Sequence, residues 1–165
     1  MLVLGLDPGL ATTGYGLVRE SLDGDLSLVA YGAITTAPGR PLSGRLLAID
    51  RELAALIAAY RPDAVAVEEL FFSRNVTTAL AVGQARGVVL LGAARAELPV
   101  FEYRPMEVKQ AITGYGKAPK LQMQEMVRML LELDRVPQPD DAADAIAVAI
   151  CHLYSARLEG LLAGR

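Results

Sequence analysis

The sequence predicts a mixed α/β fold, a five-stranded sheet flanked by helices. Three observations lead there. Three β-rich runs open the chain in the order of a meander; the texture then changes to helix, strand, helix, strand, helix; and no linker, repeat or low-complexity stretch interrupts it. At 165 residues and 53% hydrophobic, the chain can fill one full core but not two, so residues 1–165 are read as a single domain.

The first three strands are "LVLGLD", "YGLVRESL" and "LSLVAYGAITT", divided by "PGLATT" and the turn "DGD", which suits an antiparallel meander. In "PLSGRLLAIDRELAALIAAYR" the residues Leu46, Ile49, Leu53, Leu56 and Ile57 recur at helical spacing. Arg45, Asp50, Arg51 and Glu52 turn outward, and Pro62 ends the helix. "DAVAVEE" is a short continuous apolar run of the kind a buried parallel strand requires. "NVTTALAVGQARGVVLLGAARAEL" follows as a long helix in which Gly83 and Gly87 share a stripe, permitting close packing within the chain or across a dimer. "PVFEYR" is a fifth strand, and "PMEVKQAI", "KLQMQEMVRMLLEL" and "DDAADAIAVAICHLYSARL" are helices.

Composition narrows the function classes. There is no run of about 18 uncharged apolar residues and no signal-peptide pattern, so a soluble, cytoplasmic protein away from membranes is expected. Cys151 is the only cysteine, which excludes an internal disulfide and a thiolate metal site and suits a reducing compartment. The net charge of -3 hides a division: residues 71–128 hold eight basic side chains against four acidic ones, while both flanks are acidic. Such a chain can meet a polyanion at one patch and gather cations at another.

Four carboxylates stand where burial makes them costly. Asp7 ends the first strand, Glu68 ends the fourth, and Asp141 and Asp144 open the last helix, three residues apart and so on one face. Asp140 and Asp141, after "PQP", also suit a helix N-cap and a dipole partner, and Asp7 before Pro8-Gly9 also suits a turn. Asp144, in "AADAIAVAI", has no comparable local explanation. If strands one and four are parallel neighbours, Asp7 and Glu68 end at one sheet edge and the last helix can close over them. Carboxylates that near one another repel, and a pair of divalent cations resolves the conflict; oxygen-only ligands favour Mg²⁺ or Mn²⁺ over zinc. His152 reads as a partly buried helix residue, Cys151 as packing and Asp63 as a turn residue. "TGYGKAPK" is not a nucleotide loop, because its glycine–lysine spacing is wrong and alanine follows the lysine.

"GLDPGLATTGYG", "VAVEELFFSRN", "VGQARGV", "ELPVFEY", "VKQAITGYG" and "DAADAIAVAICH" together resemble, in order and spacing, the RuvC-type Holliday junction resolvases over essentially the whole chain. That resemblance implies a ribonuclease-H-like fold and a homodimer that nicks four-way junction DNA symmetrically with two divalent ions per site, alongside branch-migration helicase proteins. It places the catalytic and metal-holding carboxylates at Asp7, Glu68, Asp141 and Asp144, basic groups near the reaction at Lys109 and Lys120, and an aromatic at the junction centre at Phe71. Phe72, Arg74, Asn75, Arg86 and Lys117 complete the expected DNA contacts. The related ribosomal-RNA-processing nucleases, with the same carboxylate chemistry on structured RNA, are the alternative.

Overall fold

Residues 1–69 and 76–163 are described by the structure, a computed structural model. The strands are β1 (Leu2–Asp7), β2 (Thr12–Glu20), β3 (Leu26–Thr35), β4 (Ala64–Glu68) and β5 (Val100–Tyr103). The helices are α1 (Leu42–Tyr60), α2 (Val76–Arg95), α3 (Pro105–Thr113), α4 (Lys120–Leu130) and α5 (Asp140–Ala163). The sheet order is β3-β2-β1-β4-β5, with β1, β2 and β3 antiparallel and β4 and β5 parallel to β1. This is the expected mixed sheet.

Alternation along β1 divides the core in two. Leu2, Leu4 and Leu6 point into one layer with Val65 and Val67 of β4, under Ile49 and Leu53 of α1 and Ala85 and Val89 of α2. Val3 points to the other face, beneath Ile146, Ala149 and Ile150 of α5, with Val108 and Ile112 of α3 and Val127 of α4. Covered on both faces, β1 and β4 are apolar at nearly every position, which is why they read as continuous runs. Asp63 does more than turn the chain: its carboxylate accepts the backbone N–H of Leu2 at 2.6 Å and secures the start of β1.

α5 has the length and hydropathy of a membrane-crossing helix, yet half of that stretch is buried inside the domain. It lies unusually close to the sheet. A Cβ on Gly5 would sit 2.0 Å from the Ala145 carbonyl oxygen, and one on Gly16, its partner across β1 and β2, 2.5 Å from Ile146 Cγ1. Gly14, paired with Asp7, would meet the Asp141 carbonyl oxygen at 2.0 Å. Gly5, Gly14 and Gly16 are therefore the bed of α5, and they fix where its N-terminal carboxylates stand. Cys151 is buried packing, its thiol pushed up to about 12 by burial. His152 is more deeply placed than expected: it is 2% exposed, its Nδ1 lies 2.7 Å from the Tyr103 hydroxyl, and its ring stacks on Phe101.

Gly5→Ala must push α5 away from the sheet, since backbone and not a flexible side chain stands in the way. A loss of at least about 2 kcal/mol is expected in urea unfolding. An unchanged midpoint would show that the helix does not bear on this strand.

Candidate active site

Register brings the first two carboxylates together. Leu6 of β1 pairs with Val67 of β4 in parallel, so the next residues, Asp7 and Glu68, leave the sheet side by side at its C-terminal edge. The Gly14 contact then lays the first turn of α5 beside Asp7, with Asp141 and Asp144 on it. All four are partly buried, and their charges interact. Burial, then the charges of Glu68, Asp144 and Asp141, push the Asp7 carboxyl from 3.8 to about 7, against the pull of Lys120. Burial and Asp144 push Glu68 from 4.5 to about 7, opposed by Lys109 and Lys120. Burial likewise raises Asp144, with Lys120 acting the other way.

Lys120, the first residue of α4, stands against this group. Its Nζ donates to Asp144 Oδ2 at 2.9 Å and lies 3.4 Å from Asp140 Oδ2. Burial disfavours its charge, but its hydrogen bond to Asp144 and the charges of Asp144 and Asp140 outweigh that, and the ammonium titrates above the ordinary lysine value. Asp140, read as a helix N-cap, sends its carboxylate to Lys120 and to Gln124 Nε2 at 3.1 Å. Lys109, on α3, is near enough to act on Glu68.

The donor set is all oxygen, and it fits hard divalent cations. Groups that would otherwise hold protons near neutrality are stabilised in their charged form by a cation. Among the described residues no three acidic, histidine or cysteine side chains are already closed around one ion position.

The other expected contacts fall differently. Lys117 is exposed on the loop after α3, which is braced rather than loose: the Gln110 side chain donates to the Gly114 carbonyl at 2.8 Å and accepts the Gly116 N–H at 3.0 Å. Arg86, on α2, forms an ion pair with Glu102 of β5. Phe71, Phe72, Arg74 and Asn75 lie outside the described residues. Arg45, which reads in the sequence as an outward-facing helix residue, donates its Nε to Thr36 Oγ1 at 2.8 Å and lines a hollow together with Asp141.

A family model described as crossover junction endodeoxyribonuclease RuvC matches residues 3–152. The chain belongs to the RuvC family. The RuvC crossover junction endodeoxyribonuclease of Heliobacterium modesticaldum is 59% identical over 155 residues, covering 94% of this chain and 95% of that one. The Thermus thermophilus RuvC structure superposes with a TM-score of 0.90 at 40% identity, covering 96% of this chain and 97% of that one. Thermus thermophilus RuvC in complex with a Holliday junction substrate gives a TM-score of 0.88 at 37% identity, covering 96% of both chains. The ribonuclease-H-like architecture implied by the sequence is thus the fold of RuvC family members.

Asp7 and Glu68 hold their protons more tightly in the folded chain than in the unfolded one. The stability this contributes is complete below their ordinary values near 4 and is lost as pH rises through about 7. In the presence of a chelator, Asp7→Asn is therefore expected to gain on the wild type as pH rises, by roughly 4 kcal/mol near pH 8. Thermal melts of the two proteins across this range check it, and a difference independent of pH would contradict the charge coupling.

Proposed function

We propose that the chain resolves four-way DNA junctions by metal-assisted hydrolysis of one phosphodiester in each of two opposed strands. Asp7, Glu68, Asp141 and Asp144 hold Mg²⁺ or Mn²⁺, two ions to a site. The observation that supports this most is the coupling of carboxylates from β1, β4 and α5 at one sheet edge, with Asp7 and Glu68 both pushed to about 7. When bound, the cations supply Lewis acidity that activates water and stabilises the leaving oxygen.

The residues divide the remaining work. Asp7 feels the other three acids and stands at the centre of the set; Glu68 and Asp144 flank it from β4 and α5. Asp141, at the mouth of α5, orients the water side of the reaction. Lys120 retains its proton and offsets negative charge growing on the phosphate, and Lys109 does so beside Glu68. Phosphate oxygens of the substrate would complete the ligands of the cations, so the site need not be filled before DNA arrives. Lys117 and the braced loop receive the neighbouring strand through charge and backbone contact.

Two symmetric cuts call for two copies of the site. Leu80 and Leu91 of α2 are 63% and 54% exposed and lie on one stripe with Gly87, which has open space before it. This stripe is the proposed contact between two copies of the chain.

Incubating a labelled synthetic four-way junction with the protein and Mg²⁺, then mapping the nicks, should reveal paired cuts at symmetric positions. Asp144→Asn should keep junction binding while cutting falls by about a thousandfold. Faster cleavage of structured RNA than of the junction would transfer the activity to the alternative polymer. For the assembly, sedimentation should give twice the chain mass for the wild type and the chain mass for Leu91→Glu; an unaltered dimer would place the interface elsewhere.

A further inference from the structure

A hollow of about 480 Å³ opens at Asp141, lined also by Gly9, Leu10, Thr12, Arg45 and Val82. We propose that it seats a backbone phosphodiester of the nucleic acid next to the one being cut, gripped by the Arg45 guanidinium. The proposal deepens the nuclease reading and rests on it.

Arg45 is placed as a ligand-binding cation and not as a structural one. It sits near the start of α1, where the positive end of the helix dipole disfavours a cation, and the first turn of α1 has no acidic residue to offset it. Among the described residues it forms no ion pair with a carboxylate. What holds it is a neutral relay: Arg45 Nε donates to Thr36 Oγ1 at 2.8 Å, and the Thr36 hydroxyl donates to the Leu10 carbonyl. Thr36 is 8% exposed, so the anchor is part of the core, and it engages one of the five N–H donors of the guanidinium. A planar fork fixed in this way suits the two oxygens of a phosphodiester.

The walls agree with a polymer and not with a free ion. Gly9 and Ala11 keep one side low, and Leu10 and Val82 offer apolar surface to a sugar. Because Asp141 belongs to both the hollow and the acidic cluster, a strand reacting at the carboxylates extends over Arg45. Nothing in this recognises a base, so the seat positions the strand without reading its sequence.

Junction affinity of the wild type, Arg45→Gln, Arg45→Lys and Thr36→Val is measured in chelator over a range of salt concentrations, beside a structured RNA of similar length. Arg45→Gln should bind about tenfold more weakly near 0.1 M salt, and its plot of log affinity against log salt should be shallower by about 0.9, one released counterion. Arg45→Lys should recover the slope. Thr36→Val keeps the charge and should keep the slope while lowering the cleavage rate once Mg²⁺ is added. An unchanged slope in Arg45→Gln, in a protein whose melting temperature matches the wild type, overturns the seat while leaving the junction reading intact. Preference of the wild type for the RNA overturns the junction reading, and a slope change on that RNA would still support the seat. If Arg45→Gln unfolds, a wild-type slope and affinity in Arg45→Lys together with full cleavage in Thr36→Val would overturn the fork.

Discussion

Gly5 and Gly16 face each other across β1 and β2, and over that bare stretch of backbone α5 comes down until its own main chain touches the sheet. Ordinary helix-on-sheet packing keeps side chains between the two layers. Here there are none to spare, and Ala145, Ala149 and Ile146 rest on peptide groups. The same contact continues at Gly14, where the Asp141 carbonyl lies against the residue paired with Asp7. Core packing and the position of the acidic cluster are thus one arrangement.

That arrangement brings like charges together at a cost the fold does not remove. Burial and mutual repulsion leave Asp7 and Glu68 titrating at about 7, and Lys120 and Lys109 moderate this without cancelling it. A protein selected for stability alone would separate these groups or neutralise them. Keeping them coupled and within reach of solvent serves chemistry instead. Membership of the RuvC family agrees with this, since a nuclease needs a charged centre that substrate and metal complete together.

Much of this was legible in the sequence, and the limits have physical causes. Strands and helices follow from local periodicity, and the adjacency of β1 and β4 follows from the order of elements, so Asp7 and Glu68 could be placed at one edge. Asp144 stood out because nothing around it is polar. Long-range pairings leave no such trace. The tie from Asp63 to Leu2 spans 61 residues, and the Arg86–Glu102 pair joins a helix to an edge strand with no spacing rule between them. Arg45 shares its outward helical phase with ordinary solvent-facing residues, and only the Thr36 contact distinguishes it. The glycines were visible as a cluster, but their purpose was not, since nothing local announces that a distant helix will lie on them.

α5 is also anchored well beyond its glycine bed. Its contacts with the sheet glycines run from Asp141 to Ala149, whereas the exposed end reaches Ala163, roughly 20 Å farther along at about 1.5 Å per residue. Between the two, Ile150, Cys151, His152 and Leu153 are buried and Arg157 pairs with Glu20 of β2, so fraying of the last turns stops short of the acids.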